Sequence, residues 1–117
     1  MFSLTSSHNF FLYSSPTDMR KSFDALSGII LSVMHKNPAS GEVFIFINKP
    51  RNKIKLLHWE TGGFTLYYKR LETGTLELPE ITNNTQSVQI NWTELVMITE
   101  GISLKNIQKR KRYFIQN

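Results

Sequence analysis

Residues 43–70 constrain the fold of this chain more than any other stretch. They read Val43-Phe44-Ile45-Phe46-Ile47, a basic turn, Ile54-Lys55-Leu56-Leu57-His58-Trp59, then Thr61-Gly62-Gly63, then Phe64-Thr65-Leu66-Tyr67-Tyr68-Lys69-Arg70. Three runs rich in β-branched and aromatic residues, separated by turn chemistry, are the pattern of an antiparallel meander. The first run is apolar at every position, as in a central strand covered on both faces. The second and third carry charge at alternating places, which predicts one wetter face. The turns are Asn48-Lys49-Pro50-Arg51-Asn52, set by proline and asparagine, and the glycine pair Gly62-Gly63.

The flanking segments supply cover for this sheet. Residues 8–13 contain Phe10, Phe11, Leu12 and Tyr13 and read as a first strand, stopped by Ser14-Ser15-Pro16. Thr17 or Asp18 can cap a following helix. Within residues 18–34 the apolar positions Phe23, Leu26, Ile29, Ile30, Val33 and Met34 form a stripe of helical period, which must be buried on something. Asn37-Pro38 ends that helix. Thr75 to Leu78 suggests a short strand, as does Val88-Gln89-Ile90. Asn91 or Thr93 caps a short helix through Leu95 and Ile98, with Glu94 in its first turn. The expected fold is α+β: an antiparallel β-meander sheet of four to six strands, packed by one amphipathic helix, plus a short C-terminal helix. With 117 residues there is room for one core, assigned to residues 1–101, with a basic tail at 102–117.

Order and spacing of several pieces resemble a known family. These are Pro16-Thr17-Asp18-Met19-Arg20-Lys21-Ser22-Phe23-Asp24-Ala25-Leu26, Ser40-Gly41 ahead of Val43-Phe44-Ile45-Phe46, Asn48 through Trp59, and Gly62 through Gly74. Together they look like the second open reading frame of the insertion-sequence-sixty-six transposons, a TnpB-type accessory protein unrelated to the RNA-guided nucleases sharing that label. The resemblance covers about residues 13–79, with a weaker echo at 92–101. It implies a helper in transposition, with strand chemistry belonging to a separate transposase. DNA at the transposon ends and the co-encoded transposase are the implied partners.

The residues themselves point to no enzyme. Metal-dependent strand transfer needs converging carboxylates. Asp18 and Asp24 stand six apart, about 120° around a helix at ~100° per residue, so they share no face. His8, His35 and His58 show no metal-ligand spacing. The chain has no cysteine, which removes thiolate metal sites and cysteine nucleophiles. No cofactor or metal is expected. Residues 1–7 have no signal-peptide pattern, and no apolar run approaches the ~20 residues that span a bilayer. A soluble, cytoplasmic protein without membrane contact is expected.

Charge is the sharper signal. The net charge of +5 comes from 14 Lys and Arg against 9 Asp and Glu, and the cations cluster. Lys49, Arg51, Lys53 and Lys55 form one group; Lys109, Arg110, Lys111 and Arg112 form another. Such concentrated fields suit a polyanion or an acidic protein surface. Lys53 and Lys55 alternate onto one strand face and, with the turn cations, predict a ridge that tracks phosphates. Trp59, Phe64, Tyr67, Tyr68, Lys69 and Arg70 add groups suited to stacking on bases or touching a backbone. The plainer reading is a solvated edge strand that its lysines protect from aggregation, with the aromatics in the core. The competing function is a pure protein adaptor, whose sheet edge or aromatic surface docks a partner by strand addition or through a hydrophobic patch.

Overall fold

The computed structural model describes residues 4–79 and 85–100. In chain order the elements are β1 (Phe10–Tyr13), α1 (Phe23–Ser32), β2 (Val43–Ile47), β3 (Lys53–Glu60), β4 (Gly63–Arg70), β5 (Ser87–Ile90) and α2 (Trp92–Glu100). The class is α+β, and five strands make one sheet in the order β4-β3-β2-β1-β5. β2, β3 and β4 form the expected antiparallel meander, with Ile45 opposite Leu56 and Leu57 opposite Leu66.

The sheet as a whole is mixed, which corrects the purely antiparallel expectation. β1 runs parallel to β2, with Phe10 opposite Val43 and Leu12 opposite Ile45. α1 separates them in sequence, and a helical crossover returns the chain to the end where it started, so the next strand runs the same way. β5 then pairs antiparallel to the outer side of β1, Phe10 facing Ile90.

Alternation along the strands gives the sheet two apolar faces. Phe44, Phe46 and Leu57 pack with Leu26, Ile30 and Met34 under α1. Val43, Ile45, Ile47, Ile54 and Leu56 pack with Phe10, Leu12, Leu95 and Ile98 under α2. β2 is buried at all five positions because it is covered on both sides. The stripe of α1 is narrower than its sequence suggests: Leu26 and Ile30 are buried, while Phe23 remains 42% exposed.

α1 begins at Phe23, four or five residues later than a cap at Asp18 or Thr17 would place it. Two competing interactions explain the delay. The Asp18 carboxylate accepts from the backbone amide of Arg20 and from its guanidinium, closing a local turn. The carbonyls of Met19 and Lys21, which a longer helix would use, instead accept from Lys55 Nζ. Thr17 is buried, its amide donating to the Ile47 carbonyl. At the far end His35, with φ 57, lies in the left-handed region and closes the helix before Asn37 and Pro38. The start of α2 follows expectation. The Glu94 amide donates to Asn91 Oδ1 and the Asn91 amide to Glu94 Oε1, a reciprocal capping box.

Residues 75–78 form no strand. The Leu76 amide donates to the Arg51 carbonyl, and the Leu76 side chain plugs the α2-side core. That loop therefore braces the β2–β3 turn.

Candidate nucleic-acid interface

The β2–β3 turn is held by one side chain. Asn48 Oδ1 accepts from the amides of Asn52 and Lys53, both at 3.0 Å, and Asn48 Nδ2 donates to Asn52 Oδ1. The Arg51 amide also donates to the Asn48 carbonyl, and Arg51 takes φ 60. Left-handed backbone at a non-glycine residue costs roughly 1 kcal/mol, which these four bonds offset. The result presents Lys49 and Arg51 outward on a fixed tip. Lys53 opens β3 directly beneath, with Arg70 as its register partner on β4.

Opposite the tip lies the loop that precedes α1. Between its residues Pro16, Asp18 and Arg20 and the side chains of Lys49, Lys53 and Tyr68 is a cleft of about 520 Å³. A second cleft of about 540 Å³ adjoins it, lined by Tyr13, Pro16, Lys49, Arg51 and Leu78. Arg20 and Arg70 are exposed but each is bidentate to a carboxylate, Asp18 and Glu72 respectively. Hydrogen bonds from Arg20 hold the Asp18 carboxyl well below the usual carboxylate range, and Arg70 lowers Glu72 likewise. Lys21, Lys49, Arg51 and Lys53 carry no ion pair among the described residues.

Not every expected site residue joins this surface. Lys55 is only 5% exposed. Its ammonium donates to the Met19 and Lys21 carbonyls at 2.7 and 2.8 Å and lies 4.7 Å from the centre of the Tyr68 ring. It shares a strand face with Lys53, as period-two alternation requires, but it anchors a loop instead of extending a ridge. Tyr67 turns to the α2 side, where it packs on the core and its hydroxyl is buried. Trp59 packs edge-on against Phe64, ring centres 5.0 Å apart. It lies six residues along β3 from Lys53, about 20 Å at strand rise. Lys69 points to the α2 side and donates to the Thr99 carbonyl at 3.4 Å. Lys109, Arg110, Lys111 and Arg112 lie outside the described residues.

The structure adds Arg20, which sequence reasoning did not select; it joins the basic surface because its loop folds over β3. Its signal was present in the run Asp18-Met19-Arg20-Lys21, where a helix was expected. Of the two tyrosines offered by the sequence, Tyr68, at 53% exposure, is the accessible aromatic, and Tyr67 is not. Alternation alone could not choose between adjacent tyrosines.

Sequence comparison now adds to the geometry. The family model described as IS66 Orf2-like protein matches residues 8–109, nearly the whole chain. The chain belongs to the IS66 Orf2-like family. Membership in the IS66 Orf2-like family carries an accessory role associated with transposition. Two relatives come from Sinorhizobium fredii (strain NBRC 101917 / NGR234). The first, "Uncharacterized protein y4jC", is 21% identical over 95 residues, covering 81% of this chain and 80% of the relative. The second, "Uncharacterized protein y4hO", is 27% identical over 96 residues, covering 82% of each. No solved structure matches. The matched span contains both walls of the cleft.

A separate polar cluster lies on the α2 face. His58 is buried, and since a carbonyl only accepts, its Nε2–H must donate to Gly41 O at 3.1 Å. Nδ1 is then the unprotonated nitrogen, 3.7 Å from the Glu60 carboxylate and without a hydrogen-bond partner. The His8 ring meets His58 edge to face at 4.7 Å. Burial, reinforced by His8, lowers the His58 pKa, against smaller opposing effects of Glu60 and the Gly41 bond. Among the described residues no group of three or more His, Asp or Glu is placed to hold a metal ion, and no helix is long and apolar enough to cross a membrane.

Proposed function

We propose that this chain is a non-catalytic accessory protein of transposition that contacts DNA phosphates through the β2–β3 tip and the loop facing it. The observation that carries this reading is the convergence of Lys49, Arg51 and Lys53 with Arg20 from a distant stretch of sequence. A cluster drawn from two segments and held by Asn48 and Lys55 is more than a solvated charge run. Lysines act here as point charges, which position a backbone without reading bases. Strand cutting is left to the transposase.

Replacing Lys49, Arg51 and Lys53 together by Gln tests the reading. All three lie at the surface rim, so stability should change by less than about 0.5 kcal/mol each. Affinity for duplex DNA should fall for every sequence alike, and the log–log salt slope should shrink by roughly 0.9 per lost contact. Unchanged affinity with an unchanged slope would end it.

One observation favours an adaptor role instead. β4 is an edge strand eight residues long, paired only with β3 among the described residues. A peptide of the transposase could add to it as a further strand. Binding of the transposase that survives high salt and ignores the triple substitution would identify that role.

A further inference from the structure

We infer that the cleft is a binding site for single-stranded DNA, with one unpaired base stacked on Tyr68 and its flanking phosphates held by Lys53 and Lys49. This deepens the phosphate-contact reading above and rests on it.

Aromatic side chains of a small domain normally go to the core, and here Phe10, Phe44 and Phe46 do so. Tyr68 does not. It faces the α1 side, because it pairs with Lys55 in register, yet it lies beyond the reach of α1 and remains 53% exposed. Its ring is nonetheless fixed. The Lys55 ammonium, itself pinned by two carbonyls, lies 4.7 Å from the ring centre, so the ring rests on a buried cation. An exposed ring held this way loses little rotamer freedom when a base stacks on it, which is the usual way binding is strengthened without new contacts.

Its neighbours supply the remaining chemistry. Among the described residues, a hollow of about 160 Å³ is lined by Lys53, Tyr68 and Arg70. The larger cleft, also lined by Tyr68 and Lys53, brings in Lys49 and Arg20, and at about 520 Å³ it has the size of a small-ligand pocket. An aromatic face bracketed by cations is the arrangement that binds single strands irrespective of sequence. Duplex DNA hides its base faces in the stack and offers this tyrosine nothing but backbone. The site therefore prefers unpaired DNA.

The test uses the full chain and two labelled probes read by fluorescence anisotropy: an oligothymidylate of about 15 nucleotides, within the usual site range, and a duplex of equal length. Tyr68→Phe keeps the planar face and should bind the single strand within about twofold of the native chain. Tyr68→Leu keeps apolar cover over Lys55 but removes the face. Stacking at its usual strength makes that variant about 5- to 150-fold weaker for the single strand, with duplex affinity changed less than about twofold. Thermal melts confirm that the Phe and Leu variants are equally folded. A Leu variant that binds oligothymidylate as tightly as the Phe variant overturns the inference. So does an equal loss on both probes. If the native chain binds duplex with a steep salt slope but shows no preference for the single strand, this inference falls and the broader phosphate reading stands. If it binds neither probe, both fall.

Discussion

Lys55 and His58 lie three positions apart on β3, and both are buried polar residues in a stretch otherwise made of Ile54, Leu56 and Leu57, flanked by the half-buried Lys53, Trp59 and Glu60. A buried ammonium is tolerated only when its donors are occupied, and here Met19 and Lys21 occupy two of them. The sequence offered Lys55 as one more cation in a basic run, because alternation gives a face and not a depth. His58 differs in that its hydrogen bonding is incomplete. Its neutral form suits the site, with Nδ1 bare and His8 alongside, while Glu60 and Thr65 are the other polar groups nearby. Because its pKa is lowered in the fold, the unfolded chain takes up a proton first as pH drops. Stability should therefore be flat above pH 7 and decline as pH falls below the unfolded value of about 6.5, levelling off below the folded value. Thermal melts from pH 8 to 5 read this directly. His58→Gln keeps a donor for the Gly41 carbonyl and should flatten that part of the profile; an identical decline in the variant would assign the pH dependence elsewhere.

Among the elements, α1 carries the plainest energetic expectation. Leu26 is fully buried against Phe44, Phe46 and Leu57. Truncating it to Ala should cost about 2–5 kcal/mol, a large part of what holds a domain of this size together. Urea titration of Leu26→Ala checks this, and a loss under about 1 kcal/mol would mean the helix is not seated as described. The same helix shows what a sequence discloses. Its stripe was legible at Leu26, Ile30 and Met34, and the three strands of the meander at their near-observed bounds, because burial on one or two faces writes a period into the chain. The start of α1 was not legible. It depends on Lys55, thirty-four residues from Lys21, competing for carbonyls that local reasoning gave to the helix. The parallel pairing of β1 with β2 was legible in principle, since strand, helix, strand in succession implies a crossover. At the site, the turn cations were readable as a cluster, but Arg20 required the tertiary fold to bring it there, and only the fold decides that Tyr68 and not Tyr67 is exposed.

At the scale of the molecule, more than a third of the cationic side chains are concentrated after Gly101. Every buried core residue named here lies between Phe10 and Ile98, and α2 closes the second face with Leu95 and Ile98. Five of the 14 Lys and Arg, namely Lys105, Lys109, Arg110, Lys111 and Arg112, lie after Gly101 with no acidic residue among them. A chain ended at Gly101 would keep nine Lys and Arg against nine Asp and Glu, a net charge of zero. Such a chain separates two sources of DNA affinity. Net charge attracts a polyanion from a distance, whereas a fixed cluster neutralises particular phosphates at contact. The shortened chain should melt within a few degrees of the full one, since it keeps every described core residue. Its duplex affinity should drop, with a salt slope reduced by about 0.9 for each phosphate the tail had neutralised. The remaining binding should still respond to the Lys49, Arg51 and Lys53 to Gln substitution, because that cluster does not depend on total charge. A shortened chain that fails to fold would move the domain boundary past Gly101. One that folds and binds no DNA would transfer the whole interaction to the tail and leave the β2–β3 tip without a phosphate role.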